Sequence, residues 1–153
     1  MSDEARQAWA TAWVKAWAQM PPIPKTHKAK IKTKTGADYE YSYADLPDIL
    51  DAVRPILTVE ELAVAQSVEP ISPGVLGVVT RIYHSGGHVE LFGPTPMPAE
   101  GDPRVIGSAI TYARRYALSA ALGIASDEDT DAAGPERPQR KPRRDTPVAP
   151  SSS

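Results

Sequence analysis

Lys28, Lys30, Lys32 and Lys34 alternate with Ala29, Ile31 and Thr33. In an extended strand, alternate residues share one face about 6.7 Å apart. Four like charges in a row repel one another, and folding alone gains nothing from them. A polyanion laid along the strand relieves that repulsion, because each phosphate contact releases counterions. A sheet edge protected by lysine against strand addition carries the same pattern. Tyr39, Tyr41 and Tyr43 alternate with Glu40 and Ser42 just beyond the turn signal Thr35-Gly36-Ala37-Asp38, so the two stretches read as a hairpin. With an even loop, Lys28, Lys30 and Lys32 share a face with Tyr43, Tyr41 and Tyr39. That face pairs cations for phosphates with rings for base stacking. With an odd loop the lysines face Glu40 and Ser42, and the hairpin is merely salt-bridged. Both registers satisfy the sequence. Tyr43, next to the following helix, is expected in the core.

The second group of residues lies on the last helix, expected over about 104–124 after Asp102-Pro103. At the helical period, Ile106, Ala109, Ile110, Ala113, Ala117, Ala120, Ala121 and Ile124 form an apolar face. Ser108, Thr111, Tyr112, Arg115 and Ser119 fall opposite, with Arg114 and Tyr116 flanking the stripe. A face of hydroxyls, a ring and a guanidinium lacks the Glu and Lys of a merely solvated surface. It is expected to line a groove and contact phosphates and bases. A solvated face with a chance arginine is the plainer alternative. Leu118 and Leu122 fall off this core face, where an oligomer contact would bury them. The candidate DNA-binding residues are therefore Lys28, Lys30, Lys32, Lys34, Tyr39, Tyr41, Ser108, Thr111, Tyr112, Arg114, Arg115 and Ser119.

Other chemistry is sparse. Asp127, Glu128, Asp129 and Asp131 follow the helix C-terminus, where carboxylates oppose the macrodipole. They suit a metal, an arginine partner or a phosphate mimic, or simply a solubilising exit from the helix. A metal-dependent nuclease needs carboxylates on a rigid scaffold, and these border a tail expected to be disordered. His27, His84 and His88 lack ligand spacing such as HExxH, and no GxxxxGK[ST] phosphate loop is present. No catalytic residue, metal or cofactor is expected, and the chain is not read as an enzyme.

The elements that must position these residues follow from periodicity. Residues 4–19 read as a helix carrying Trp9, Trp13 and Trp17, suited to a core or subunit contact. Strands are expected at 27–34 and 39–43. Asp45 caps a helix with Pro47 in its first turn and Ile49, Leu50, Val53, Ile56 and Leu57 as its stripe. Pro55 should kink or end that helix. Strands at 62–68, 75–83 and 88–92 follow, with a Pro-rich loop over 93–103. This order implies an α+β domain with a mainly antiparallel sheet of β-hairpins packed with helices, over residues 1–133. Residues 134–153, rich in Pro, Arg and Ser, are expected to be a disordered tail. The chain has 153 residues, no cysteine and a net charge of -2, which excludes thiolate metal sites and a uniformly basic surface but leaves room for a basic patch. No apolar run approaches a membrane span, and a cytoplasmic location fits.

These residues resemble the ERF (essential recombination function) superfamily of phage and prophage single-strand annealing proteins. The resemblance rests on Tyr41-Ser42-Tyr43-Ala44-Asp45-Leu46, on Asp48 to Pro55, and on Val79-Thr80-Arg81-Ile82 with His84-Ser85-Gly86-Gly87. Its most specific part is Gly107-Ser108-Ala109-Ile110-Thr111-Tyr112-Ala113-Arg114-Arg115-Tyr116-Ala117-Leu118, closed by Leu122-Gly123-Ile124 before Asp129 and Asp131. It covers residues about 39–131. It implies an ATP-independent protein that coats single strands, forms rings or filaments and pairs complements on a β-β-β-α core of strand-annealing type. In this sequence Glu61 stands near a position where a glycine usually ends the helix after Asp45, which implies an altered turn.

The expected function is thus single-stranded DNA binding and strand annealing in phage or prophage homologous recombination, in the cytoplasm of a bacterial host. Passive strand protection without annealing is the alternative. Expected partners are single-stranded DNA and further copies of the chain, with a host single-strand-binding protein and a phage exonuclease beyond them. The basic cluster Arg137, Arg140, Lys141, Arg143 and Arg144 suits an acidic partner segment, such as the tip of that host protein, or a loosely DNA-attracting tail.

Overall fold

The computed structural model describes residues 2–125 of the chain. The elements in order are α1 (Asp3–Ala18), β1 (His27–Ile31), β2 (Tyr39–Tyr43), α2 (Leu46–Val59), β3 (Leu62–Ser72), β4 (Val75–His84), β5 (Val89–Pro98) and α3 (Pro103–Leu122). β1 and β2 form one antiparallel pair, and β3-β4-β5 form a separate antiparallel sheet. This is an α+β fold, and its second half runs β-β-β-α. No helix among the described residues is long and apolar enough to cross a membrane.

Capping chemistry sets the helix ends. Asp45 and Asp48 form a capping box at α2: the Asp48 N–H donates to Asp45 Oδ1 at 2.9 Å, and the Asp45 N–H donates to Asp48 Oδ2 at 3.3 Å. Asp102 caps α3 by accepting from the Arg104 N–H at 2.8 Å. Gly123, at φ 66°, closes α3, with the Ile124 N–H donating back to the Ser119 carbonyl. Pro55 does not end α2, which continues through it to Val59. At the exit, Glu61 adopts φ 59°, the left-handed region that favours glycine. The departure noted at this position is therefore a turn kept with a less suitable residue.

Three strand boundaries differ from the periodicity by more than one residue. β1 stops at Ile31, which leaves Lys32 and Lys34 in the connection. β3 continues to Ser72. β5 runs on through Pro94, Pro96 and Pro98, the stretch that composition marks as a loop. Prolines suit this edge strand. The Ala99 N–H donates to the Gly74 carbonyl, so by antiparallel alternation Met97 and Thr95 carry the ladder to β4 while Pro96 and Pro98 turn their nitrogens outward. A register shift between Val78 and Thr80 re-phases the strand, so that Phe92 and Thr95 both face inward.

The helices cover one face of the three-stranded sheet. Ile82, Val78 and Thr80 on that face are fully buried. Trp9 of α1 stacks on Trp13 and donates its indole N–H to the Ile82 carbonyl at 3.0 Å. The main core joins Trp9, Ala12, Ala16, Ile49, Val53, Leu57, Leu118 and Leu122, and a smaller one joins Val78, Met97, Ala113 and Ala117. Trp17, by contrast, is exposed. On the opposite sheet face, hydrogen bonds from Arg81 and then Ser67 hold the Glu69 carboxyl below its ordinary value of 4.5.

The face expected of α3 is corrected. Leu118 and Leu122 are fully buried, not held for an oligomer contact, whereas Ala120 is exposed and Ile106, Ala109 and Ile110 are half-buried. The sheet covers one side of α3, and α1 and α2 close over the next, so burial extends round about two-thirds of its circumference. Arg115 and Ser119 are drawn inside with the leucines. Leu118→Ala is therefore expected to cost about 2–5 kcal/mol, read as a lower urea midpoint with an unchanged slope.

Candidate nucleic-acid interface

The hairpin has the odd register. Lys28 pairs with Ser42 and Lys30 with Glu40, while His27, Ala29 and Ile31 pair with Tyr43, Tyr41 and Tyr39. Residues directly opposite in an antiparallel pair share a face. Lysines and tyrosines therefore occupy opposite faces, and the shared cation–ring face of the even register does not exist. Lys28 Nζ lies 3.4 Å from Glu40 Oε1 and stays largely exposed, which makes this a weak surface pair.

The tyrosine face meets α3. The Arg115 guanidinium lies 4.5 Å from the Tyr43 ring centre, 5.4 Å from that of Tyr112 and 5.3 Å from that of Tyr116. Tyr112 and Tyr116, one turn apart on the helix, bring their ring centres within 4.4 Å. Tyr41 and His27 extend the surface at 5.9 and 5.5 Å from Tyr43. Arg115 is only 8% exposed, whereas Tyr112 is 54% and Tyr116 38% exposed. The cation thus lies beneath and the rings lie outside. Three ring faces help offset the desolvation of the guanidinium, since a cation over an aromatic face gains most when water is excluded. Exposed rings of this kind present stacking surface to flat ligands, with a positive charge behind them.

The other expected residues divide. Ser108 and Thr111 are exposed beside Tyr112, with the Thr111 hydroxyl bonded to the Gly107 carbonyl. Ser119 is buried and donates to the Arg115 carbonyl at 2.9 Å, so it is corrected from the groove to the interior. Arg115 is likewise corrected from an exposed position to a buried one. Arg114 is half-buried and bonds Gln66 of β3, whose amide donates to the Arg114 carbonyl at 3.0 Å. Tyr39 is exposed at the far end of the hairpin, with Lys30, Lys32 and Lys34 exposed as well. Tyr43 is half-buried against Arg115, close to the core position expected for it.

Sequence reasoning missed the root of the hairpin. His27 Nε2 lies 3.0 Å from Asp45 Oδ2 and 3.4 Å from Asp48 Oδ2, and the latter accepts from the Thr26 hydroxyl at 3.0 Å. Partial desolvation pushes the Asp48 carboxyl up. Hydrogen bonds from Thr26 and Asp45, with the attraction of His27, outweigh it and hold the group below its ordinary 3.8. The capping-box spacing was the available signal, but its tie to His27 is a tertiary contact. His27, Asp45 and Asp48 are also the group among the described residues with ligand atoms close enough for a metal. The positive end of α2 at Asp45 opposes a cation there, and the imidazole already serves both carboxylates. The acidic cluster from Asp127 to Asp131 lies outside the described residues.

Fold and site together define an α+β module with a lysine-bearing hairpin and an arginine-backed tyrosine surface. The ERF superfamily model matches residues 9–152, and the chain belongs to the ERF superfamily. Membership points to recombination and to interaction with single-stranded DNA. No curated protein and no solved structure matches the chain.

Proposed function

We propose that the chain is an ATP-independent single-stranded DNA-binding protein that anneals complementary strands in phage or prophage homologous recombination. The observation that carries this reading is the ring surface of Tyr112, Tyr116 and Tyr43 over the Arg115 guanidinium. Base–aromatic stacking tolerates every sequence, because every base has a π face. A protein that must handle any strand needs that tolerance, and few base-specific donors. Self-assembly, a host single-strand-binding protein and a phage exonuclease complete the set of proposed partners. The proposed role is not that of a bond-making or bond-breaking enzyme, and it requires no nucleotide or metal.

The test is to mix complementary oligonucleotides with the full chain, without ATP, and follow duplex formation by energy transfer. Annealing faster than the protein-free control is the expected result. Tight binding without acceleration would replace annealing by passive strand protection. Absence of both would remove the nucleic-acid reading.

A further inference from the structure

We propose that the lysine face of the β1–β2 hairpin is a second nucleic-acid site. It holds another single strand through its phosphates alone, apart from the strand whose bases stack on Tyr112 and Tyr116. This inference rests on the stacking reading of the ring surface. It starts from the register: Lys28 and Lys30 stand with Glu40 and Ser42 on one face, and Tyr41 and Tyr43 stand on the other. The tyrosine face is turned to α3 through the contact of Tyr43 with Arg115. A strand lying on the rings of α3 therefore cannot touch Lys28 and Lys30 without passing round the edge of the hairpin.

The two faces also differ in chemistry. The lysine face has no ring at its paired positions, since all three tyrosines of β2 pair with His27, Ala29 and Ile31. It offers charge and no stacking. Lys28 has Glu40 at 3.4 Å as its acidic neighbour, and Lys30 makes no ion pair among the described residues. Lys32 and Lys34 continue the charge into the exposed connection. Alternate lysines about 6.7 Å apart follow an extended sugar–phosphate backbone and leave its bases pointing away. A strand held in this way keeps its bases available for pairing, whereas the strand on the rings is held by its bases. Annealing needs two strands brought together, and the lysine face of the hairpin with the ring surface of α3 supplies a seat for each.

The experiment compares the full chain with Lys28→Glu/Lys30→Glu and with Tyr112→Ala/Tyr116→Ala. First, affinity for one labelled oligo-dT strand is measured. Then protein saturated with unlabelled oligo-dT tethered to a surface is challenged with a labelled second oligo-dT, which cannot pair with the first. The parent chain is expected to capture the second strand. The lysine variant should bind the first strand within about twofold of the parent yet lose most second-strand capture. Capture by the parent should also be the more salt-sensitive step, by roughly 1.4 in the slope of log K against log salt for two phosphate contacts. The tyrosine variant should lose first-strand affinity instead. Equal loss of both steps in the lysine variant would mean one continuous site and overturn the proposal. Unchanged capture would leave the lysines as edge protection and overturn it too. Normal first-strand binding by the tyrosine variant would instead refute the stacking reading on which the proposal depends. Circular dichroism melts of all three proteins confirm that the exposed substitutions leave the fold intact.

Discussion

Replacing Tyr112 and Tyr116 together by alanine is expected to lower affinity for single-stranded DNA by about 2–6 kcal/mol, which is at least about thirtyfold. Each ring contributes a stacking surface of about 1–3 kcal/mol per base. The ring centres lie 4.4 Å apart and both rings are exposed, so the pair presents one continuous stacking surface to solvent. The fold should survive, because neither ring belongs to the buried clusters. Tyr112→Phe/Tyr116→Phe separates ring from hydroxyl. If stacking carries the binding, the phenylalanine pair stays close to the parent chain in a fluorescence-anisotropy titration. A phenylalanine pair as weak as the alanine pair would move the role to the phenolic hydroxyls.

Arg115→Ala is expected to act on stability and binding together. The guanidinium lies within 5.4 Å of three ring centres and is nearly buried. A desolvated cation–ring contact contributes about 2 kcal/mol, and removing the side chain also removes the packing of its stem. A loss of about 2–4 kcal/mol in urea unfolding is expected. Affinity should fall as well, because Tyr43, Tyr112 and Tyr116 lose the group that holds them in register. Arg115→Lys should restore only part of either quantity, since an ammonium lacks the planar face that a guanidinium stacks on a ring. Full recovery by lysine would reduce Arg115 to a point charge. An exposed arginine would have produced a binding defect with little change in stability, so the two readouts together report its burial.

Much of this fold is legible in local signals. Asp45 with Asp48 three residues on marks the start of α2, and Asp102-Pro103 marks the start of α3. The alternation over 39–43 matches β2 to the residue. What local signals do not contain is which side of an element a neighbour will cover. Ala113, Ala117 and Ala121 are buried as the helical period requires. The additional burial of Leu118 and Leu122 comes from packing with residues of α1 and α2, and that of Arg115 from the Tyr43, Tyr112 and Tyr116 rings over it; the contacts with α1, α2 and Tyr43 are tertiary events. The hairpin turned on the length of one connection. Residues 32–38 give the odd register, and a one-residue change would have put every lysine on the other face. The prolines of β5 misled for a related reason. Proline is excluded from a central strand but not from an outer one, and strand order is not written in composition.

Those prolines give the three-stranded sheet two unlike borders. Along the free side of β5, Pro96 and Pro98 occupy the positions where a fourth strand would look for N–H donors. The free side of β3 is different. The Ser85 N–H donates to the Glu61 carbonyl, so by the same alternation the odd residues of β3 face β4. Val64, Gln66 and Val68 direct their N–H groups outward, until Pro70 interrupts the series. The β5 margin is therefore terminated along its second half only: the His84 N–H donates to the His88 carbonyl, so Val89 and Leu91 direct their N–H groups outward, while the β3 margin carries the donors of Val64, Gln66 and Val68 without a break. A strand added along the second half of β5 would meet Pro96 and Pro98, whereas one added along β3 would find an outward donor at every second residue from Val64 until Pro70.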